Sequence, residues 1–124
     1  MSADERPTNL KALAHLPADR PVVMINLLKF NSGPGVASYL QYSREVQPHL
    51  ERVGGKVRYA GASPVNVIGD GERPWWDAIL VVEYPSPGAF VDMVTDADYQ
   101  KVHELRAAAL DQGDLVATSQ WMPA

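Results

Sequence analysis

Apolar residues along this chain fall into two kinds of run, continuous and helically spaced, and the breaks between them predict the elements. "PVVMINLLKF" is continuous and β-rich between Pro21 and "NSGPG". It reads as a strand over Val22–Phe30 covered on both faces, because only Asn26 and Lys29 interrupt it. From Val36 the apolar positions are Val36, Tyr39, Leu40, Val46, Leu50 and Val53, a helical spacing closed by "VGG", where glycine suits a left-handed cap. Pro48 inside that pattern predicts a kink or a detached last turn. "KVRYAGASPVNVIG" predicts a strand interrupted near Ser63-Pro64 and then resumed, and "DGERP" a turn. "WWDAILVVEY" is the strongest strand pattern, again apolar on both faces. "PSPGAF" opens a helix with Ser86 as N-cap and Pro87 in its first position. Thr95, with Asp98 three residues later, has the form of a capping box that restarts a helix over 96–109. "DQGD" predicts a turn into a last strand, "LVATSQWM". Ahead of all this, Thr8 is positioned to cap a short helix over "NLKALAHL" that Pro17 ends.

The predicted order is β-α-β-β-α-β, the α+β ferredoxin-like arrangement with two helical connections on one face of a four-stranded antiparallel sheet. Residues 1–20 form an N-terminal extension with the short helix, and residues 21–124 a single domain. Helices cover only one face of such a sheet, yet the best strands are apolar on both. The uncovered face calls for a partner, and the economical partner is a second copy, giving a two-fold homodimer through the open face.

Charge and composition narrow the function classes. A net charge of −4 disfavours nucleic acid and anionic membrane surfaces. With no cysteine among 124 residues, disulfides, thiol nucleophiles and thiolate metal sites are excluded together. "MSADERPTNLKALAHLP" lacks the continuous apolar core of a signal peptide, and the longest apolar run is far short of the ~20 residues that a membrane span requires. The expectation is a soluble, cytoplasmic protein. The histidines at 15, 49 and 103 have no ligand spacing, "HELR" lacks the second histidine of a zinc-protease helix, and "GASPV" lacks the second glycine of a nucleophile elbow. No metal and no cofactor are expected.

Several stretches together carry a family resemblance: "VVMINLLKF", "YLQYSREVQPHLERVGGKV", "WWDAILVVEYPSPGAF", "DADYQKVHELRAAAL" and "LVAT". Within them the marks are Asn26, Tyr42, Gly54-Gly55, Trp76-Asp77, Tyr84–Ser86, Asp98-Tyr99 and Arg106. From about Pro21 to Thr118 the chain resembles the DUF1330 family of the dimeric α/β-barrel superfamily. Two positions depart from the pattern: Ala60 stands where many members carry arginine, and Leu105 where close relatives carry histidine. The resemblance implies the fold and the dimer. The family carries no established reaction. The wider superfamily implies cofactor-independent monooxygenases, haem-handling enzymes, lactone isomerases and ligand-binding domains.

The candidate chemistry lies on two helical lines. Tyr99, His103 and Arg106 are spaced by four and three, so they share one side of a helix, and Tyr42, Val46 and His49 repeat that spacing on the first helix. Two such lines bordering a sheet make an apolar cleft with a few oriented donors. In the binding reading, Asn26, Tyr42, Trp76, Tyr99 and Arg106 contact a small organic ligand, with Arg106 holding an anion and the tyrosines orienting it. His103 or Asp77 would move a proton. Each residue also has a plain structural role: the tyrosines as core-edge residues, His49 and His103 as surface or edge histidines, Arg106 paired with Asp96, Asp98 or a helix C-terminus, Asn26 as a hydrogen-bonding hub in an apolar strand, Asp77 capping a turn or paired with Arg73 or Arg58, and one of Trp75 and Trp76 as a hydrophobic anchor. A haem-handling role would require His49 or His103 to reach a porphyrin-sized cavity. The expected function is a small-molecule-binding dimer, either a cofactor-independent enzyme or a binding protein, with a ligand-free structural dimer as the alternative.

Overall fold

A computed structural model of the chain describes residue 4, residues 6–70 and residues 76–121. Strand β1 (Val22–Phe30) is interior to a four-stranded sheet ordered β2-β3-β1-β4, in which β2 is Lys56–Ala62, β3 is Ala78–Tyr84 and β4 is Leu110–Thr118. Every neighbouring pair is antiparallel. Each helical connection comes in two pieces: α1 (Gly35–Glu45) with α2 (Gln47–Val53), and α3 (Pro87–Val94) with α4 (Ala97–Ala109). This is the ferredoxin-like α+β fold.

Period-two alternation sorts β1. Val22, Met24, Asn26 and Leu28 are buried on the helix side, while Val23, Ile25 and Leu27 face the other way and are only partly covered. On that open face the register aligns Val116, Ile25, Val81 and Tyr59 in one row across all four strands. At its ends Val116 is 48% and Tyr59 61% exposed.

Local chemistry sets most boundaries. Pro48 stands at the start of α2, where a missing N–H breaks no helical bond, and so splits the long helical pattern in two. Gly54, at φ 78°, caps α2 in the left-handed region. Ser86 Oγ accepts from Ala89 N at 3.1 Å and starts α3, with Pro87 first in the helix. We expect Ser86→Ala to destabilise the fold by about 1 kcal/mol, read as a lower urea midpoint at unchanged slope. An unchanged midpoint would mean that α3 is held by packing alone.

Four expectations are corrected. The segment after Pro7 is a 3₁₀ turn, Leu10–His15, with Asn9 rather than Thr8 ahead of it and no side-chain cap; so short a segment does not sustain an α-helical nucleus. β2 does not resume after Ser63-Pro64. Ser63 turns left-handed at φ 53°, Pro64 brings no N–H to the ladder, and Val65, Val67 and Ile68 extend into solvent. Asp96, not Thr95, caps α4: its Oδ2 accepts from Asp98 N at 3.1 Å and Tyr99 N at 3.0 Å, and a carboxylate suits the positive end of the helix. Thr95 Oγ1 instead donates back to Val91 O. Finally, "DQGD" is not a turn. α4 passes directly into β4, and a register shift between Lys29 and Phe30 takes up the change of direction. All of the expected "DGERP" turn but Asp70, together with Trp75, falls on residues 71–75, outside the described residues.

Candidate functional site

The helices stand off the sheet and leave a cavity of about 1120 Å³ between the layers, somewhat larger than the usual ligand pocket of roughly 300–1,000 Å³. Its floor is the helix-side row of the sheet, including Met24, Asn26, Leu80 and Val82. The two helical lines predicted from spacing meet above it. Tyr42 on α1 and Tyr99 on α4 join hydroxyl to hydroxyl at 2.9 Å, and Tyr99 Oη lies 3.5 Å from His103 Nδ1. Ser38 Oγ donates to Leu105 O at 2.8 Å, fastening α1 to α4. His49 stacks edge-on against Tyr99 at 5.8 Å, with Nδ1 3.9 Å from Asp96 Oδ2, outside the residues that line the cavity.

Arg106 is the charged end of this group. Its Nη2 donates to Asn26 Oδ1 at 3.2 Å, and Asn26 Nδ2 donates to Leu80 O at 3.2 Å. Asn26 thus satisfies its amide within an apolar strand and orients the guanidinium at once. Gly113 gives Arg106 its room: a Cβ there would stand 2.5 Å from Leu110 Cδ1 and 3.4 and 3.5 Å from the guanidinium nitrogens. The carboxylates expected to pair with Arg106 are engaged elsewhere, Asp96 on the α4 cap and Asp98 with Lys101 at 3.8 Å. Among the described residues no carboxylate forms an ion pair with Arg106.

Burial raises the pKa of Tyr42 well above its ordinary value, and the neighbouring Tyr99 adds to the rise. Burial also raises Tyr99, against the opposing pull of its bond to Tyr42 and of the Arg106 charge. Both hydroxyls are protonated at neutral pH. His103 is shifted down, first by burial and then by Arg106, with Asp4 and Glu104 opposing. It is a neutral imidazole at pH 7.

Two expected site residues stand apart. Asp77 and Trp76 precede β3 and do not line the cavity. The Asp77 carboxylate accepts from Phe30 N at 3.0 Å and lies 3.4 Å from Lys29 Nζ, which ties it to the end of β1. Conversely, Tyr39 and the N-terminal segment were not anticipated as parts of the site. Tyr39 sits one helical turn before Tyr42, its ring 5.4 Å away, and the three-residue spacing was the available signal. Its hydroxyl is buried and makes no hydrogen bond of good geometry among the described residues, with the Arg106 guanidinium the side chain near enough to donate to it. Burial raises its pKa, and Arg106 lies close enough for its charge to offset part of that. The N-terminal segment forms one wall. Asp4 Oδ2 accepts from Gly113 N at 2.7 Å, and Arg6 Nη2 reaches Asp114 Oδ1 at 2.8 Å. The Arg6 side chain holds the Asp4 carboxyl down at about 2.

Among the described residues no three or more histidine and carboxylate side chains gather into a metal site, and no helix is long and apolar enough to cross a membrane.

Residues 25–120 match the family model for DUF1330, a domain of unknown function. A protein of unknown function from Rhodopseudomonas palustris is similar over 95% of this chain and 97% of its own, with 29% identity and a TM-score of 0.78. More distant likeness, in fold alone, extends to two further proteins. One is a dimeric ferredoxin-like protein of unknown function from Thermobifida fusca, with 12% identity, coverage of 81% and 91%, and a TM-score of 0.54. The other is the hydroxynitrile lyase of Passiflora edulis, with 9% identity, coverage of 82% and 94%, and a TM-score of 0.60. No curated protein matches the chain.

Proposed function

Because the chain belongs to the DUF1330 family, a domain of unknown function, its activity is read from the site, and we propose that it binds an organic anion in the cavity between sheet and helices. One observation carries this reading. Arg106 lines the cavity and, among the described residues, has no carboxylate partner. A guanidinium drawn partly out of water without a counter-ion is costly, and a ligand carboxylate supplies the counter-ion with paired, charge-assisted hydrogen bonds. Asn26 holds the guanidinium in position. Tyr42 and Tyr99, protonated, orient the ligand from the roof. His103, neutral and beside Tyr99, is the group available to take a proton if the bound acid is transformed. Trp76 and Asp77 have no part in this reading, since the Asp77 carboxylate is engaged with β1.

The working unit in this proposal is a homodimer joined through the open face of the sheet. Support comes from the apolar row Val116, Ile25, Val81 and Tyr59, which the chain's own helices leave uncovered. The ligand-free alternative, in which the polar line merely ties α4 to α1, accounts for the Tyr42–Tyr99 bond but leaves Arg106 without a carboxylate partner among the described residues.

The test is a thermal-shift and calorimetric panel of monocarboxylates, including lactate, benzoate and octanoate, on the full chain and on Arg106→Gln, which keeps a donor for Asn26. At least one acid is expected to bind, with affinity about 10- to 100-fold weaker in the variant. If no acid binds, or if the variant binds equally well, the Arg106 site is not an anion site.

A further inference from the structure

We infer that the occupant is a monocarboxylate with a long apolar body, its head on Arg106 and its hydrocarbon crossing from β1 over β3 to β2 beneath α2 and α3. This rests on the anion reading of Arg106 and specifies the class of acid.

The cavity is polarised from one side to the other. Among the described residues, every charged residue of the lining (Asp4, Arg6, Arg106 and Asp114) belongs to the N-terminal segment, α4 or β4. The lining from β2, β3, α2 and α3 contains no charge. Its floor is Leu80 and Val82 with Val57 and Ala60 of β2, and its roof includes Leu50, Phe90 and Met93. In register, Asn26 stands opposite Leu80, and Leu80 opposite Ala60, so an apolar path begins at the residue that holds Arg106 and ends at the sheet edge. It covers two strand spacings, about 10 Å. Val57 is on the helix side of the sheet and still 46% exposed. The helices therefore leave apolar floor uncovered at the far end, where a hydrocarbon body would exclude water.

The head is a single carboxylate. Arg6, the other cation lining the cavity, is already bound to Asp4 at 2.9 Å and Asp114 at 2.8 Å. Among the described lining residues this leaves one guanidinium without a carboxylate, which matches one negative charge better than a diacid or a phosphate ester. A short hydrophilic acid seated at Arg106 would leave the apolar end filled with water.

The experiment is a calorimetric titration of the full chain with butyrate, hexanoate, octanoate and decanoate, and with 1-octanol, repeated on Ala60→Asp. Ala60 is exposed on an edge strand, so that variant retains the fold while bringing a charge to the apolar end. The dissociation constant is expected to fall roughly three- to fourfold per methylene and to level off near decanoate. Ala60→Asp is expected to weaken octanoate at least tenfold and to leave butyrate unchanged. A flat series that still depends on Arg106 would overturn the long-chain assignment and leave the anion site standing. Absence of binding by every carboxylate would remove the anion site and this assignment together. 1-Octanol binding as tightly as octanoate would overturn the carboxylate head.

Discussion

An Ile25→Lys variant is expected to elute as a monomer at concentrations where the unaltered chain is a dimer, with an unchanged circular dichroism spectrum. Ile25 is central to the open face, directly opposite Val81 on one side and Val116 on the other. Its side chain points away from the helices, so in the isolated subunit a lysine can extend its ammonium into water. In a two-fold contact between sheets the same position meets apolar surface, and the symmetry brings in two lysines. Burying each without a counter-charge costs about 3 kcal/mol or more, enough to weaken association by far more than 100-fold. Light scattering coupled to size-exclusion chromatography reads the result. A dimer that persists in the variant would move the interface off the sheet, and a monomeric unaltered chain would leave no interface to assign.

Leu28→Ala is expected to have the largest effect on the fold itself. Leu28 is 1% exposed on the helix side of β1, and its register neighbours are Ala78 and Gly113. Neither neighbour carries more than a methyl group, so neither can fill the void that loss of the Leu28 side chain would leave in the core. Truncation to alanine in such a setting costs about 2–5 kcal/mol, toward the upper part of that range here. For a chain of this size the melting temperature should fall by roughly 10 °C or more. A loss below 1 kcal/mol would mean that the helix layer settles onto the sheet when that side chain is removed.

Much of the fold was legible because its signals are local. The bounds of β1 follow from Pro21 and the glycine loop, the start of α3 from Ser86-Pro87, and the end of α2 from Gly54, each acting through its own backbone. The failures fall where distant partners decide. Residues 64–68 have strand composition but no neighbouring strand to pair with once Ser63 turns the chain away. "DQGD" has turn composition, yet it pairs with β1 because α4 delivers it there. The same division runs through the site. Tyr42, Tyr99, His103 and Arg106 were readable from four-and-three spacing, which is a property of one helix at a time. Asn26 was readable because an amide in an apolar strand requires partners. The place of Asp77 was not readable, because its bond to the Phe30 amide depends on how β1 and β3 align. The wall made by Asp4 and Arg6 depends on contacts spanning more than a hundred residues of sequence, which no spacing rule reaches.

That wall bears on where the protein can be cut. Trimming the chain to begin at Pro21 would retain all four strands and all four helices and yield what looks like a complete ferredoxin-like unit. It would also delete the segment that binds Gly113 and Asp114 beside Arg106, converting a walled chamber into a trough open along β4. For the proposed anion site the segment before Pro21 is a wall, and through Leu13 it is part of the hydrophobic core as well, so a purification tag belongs away from the amino terminus.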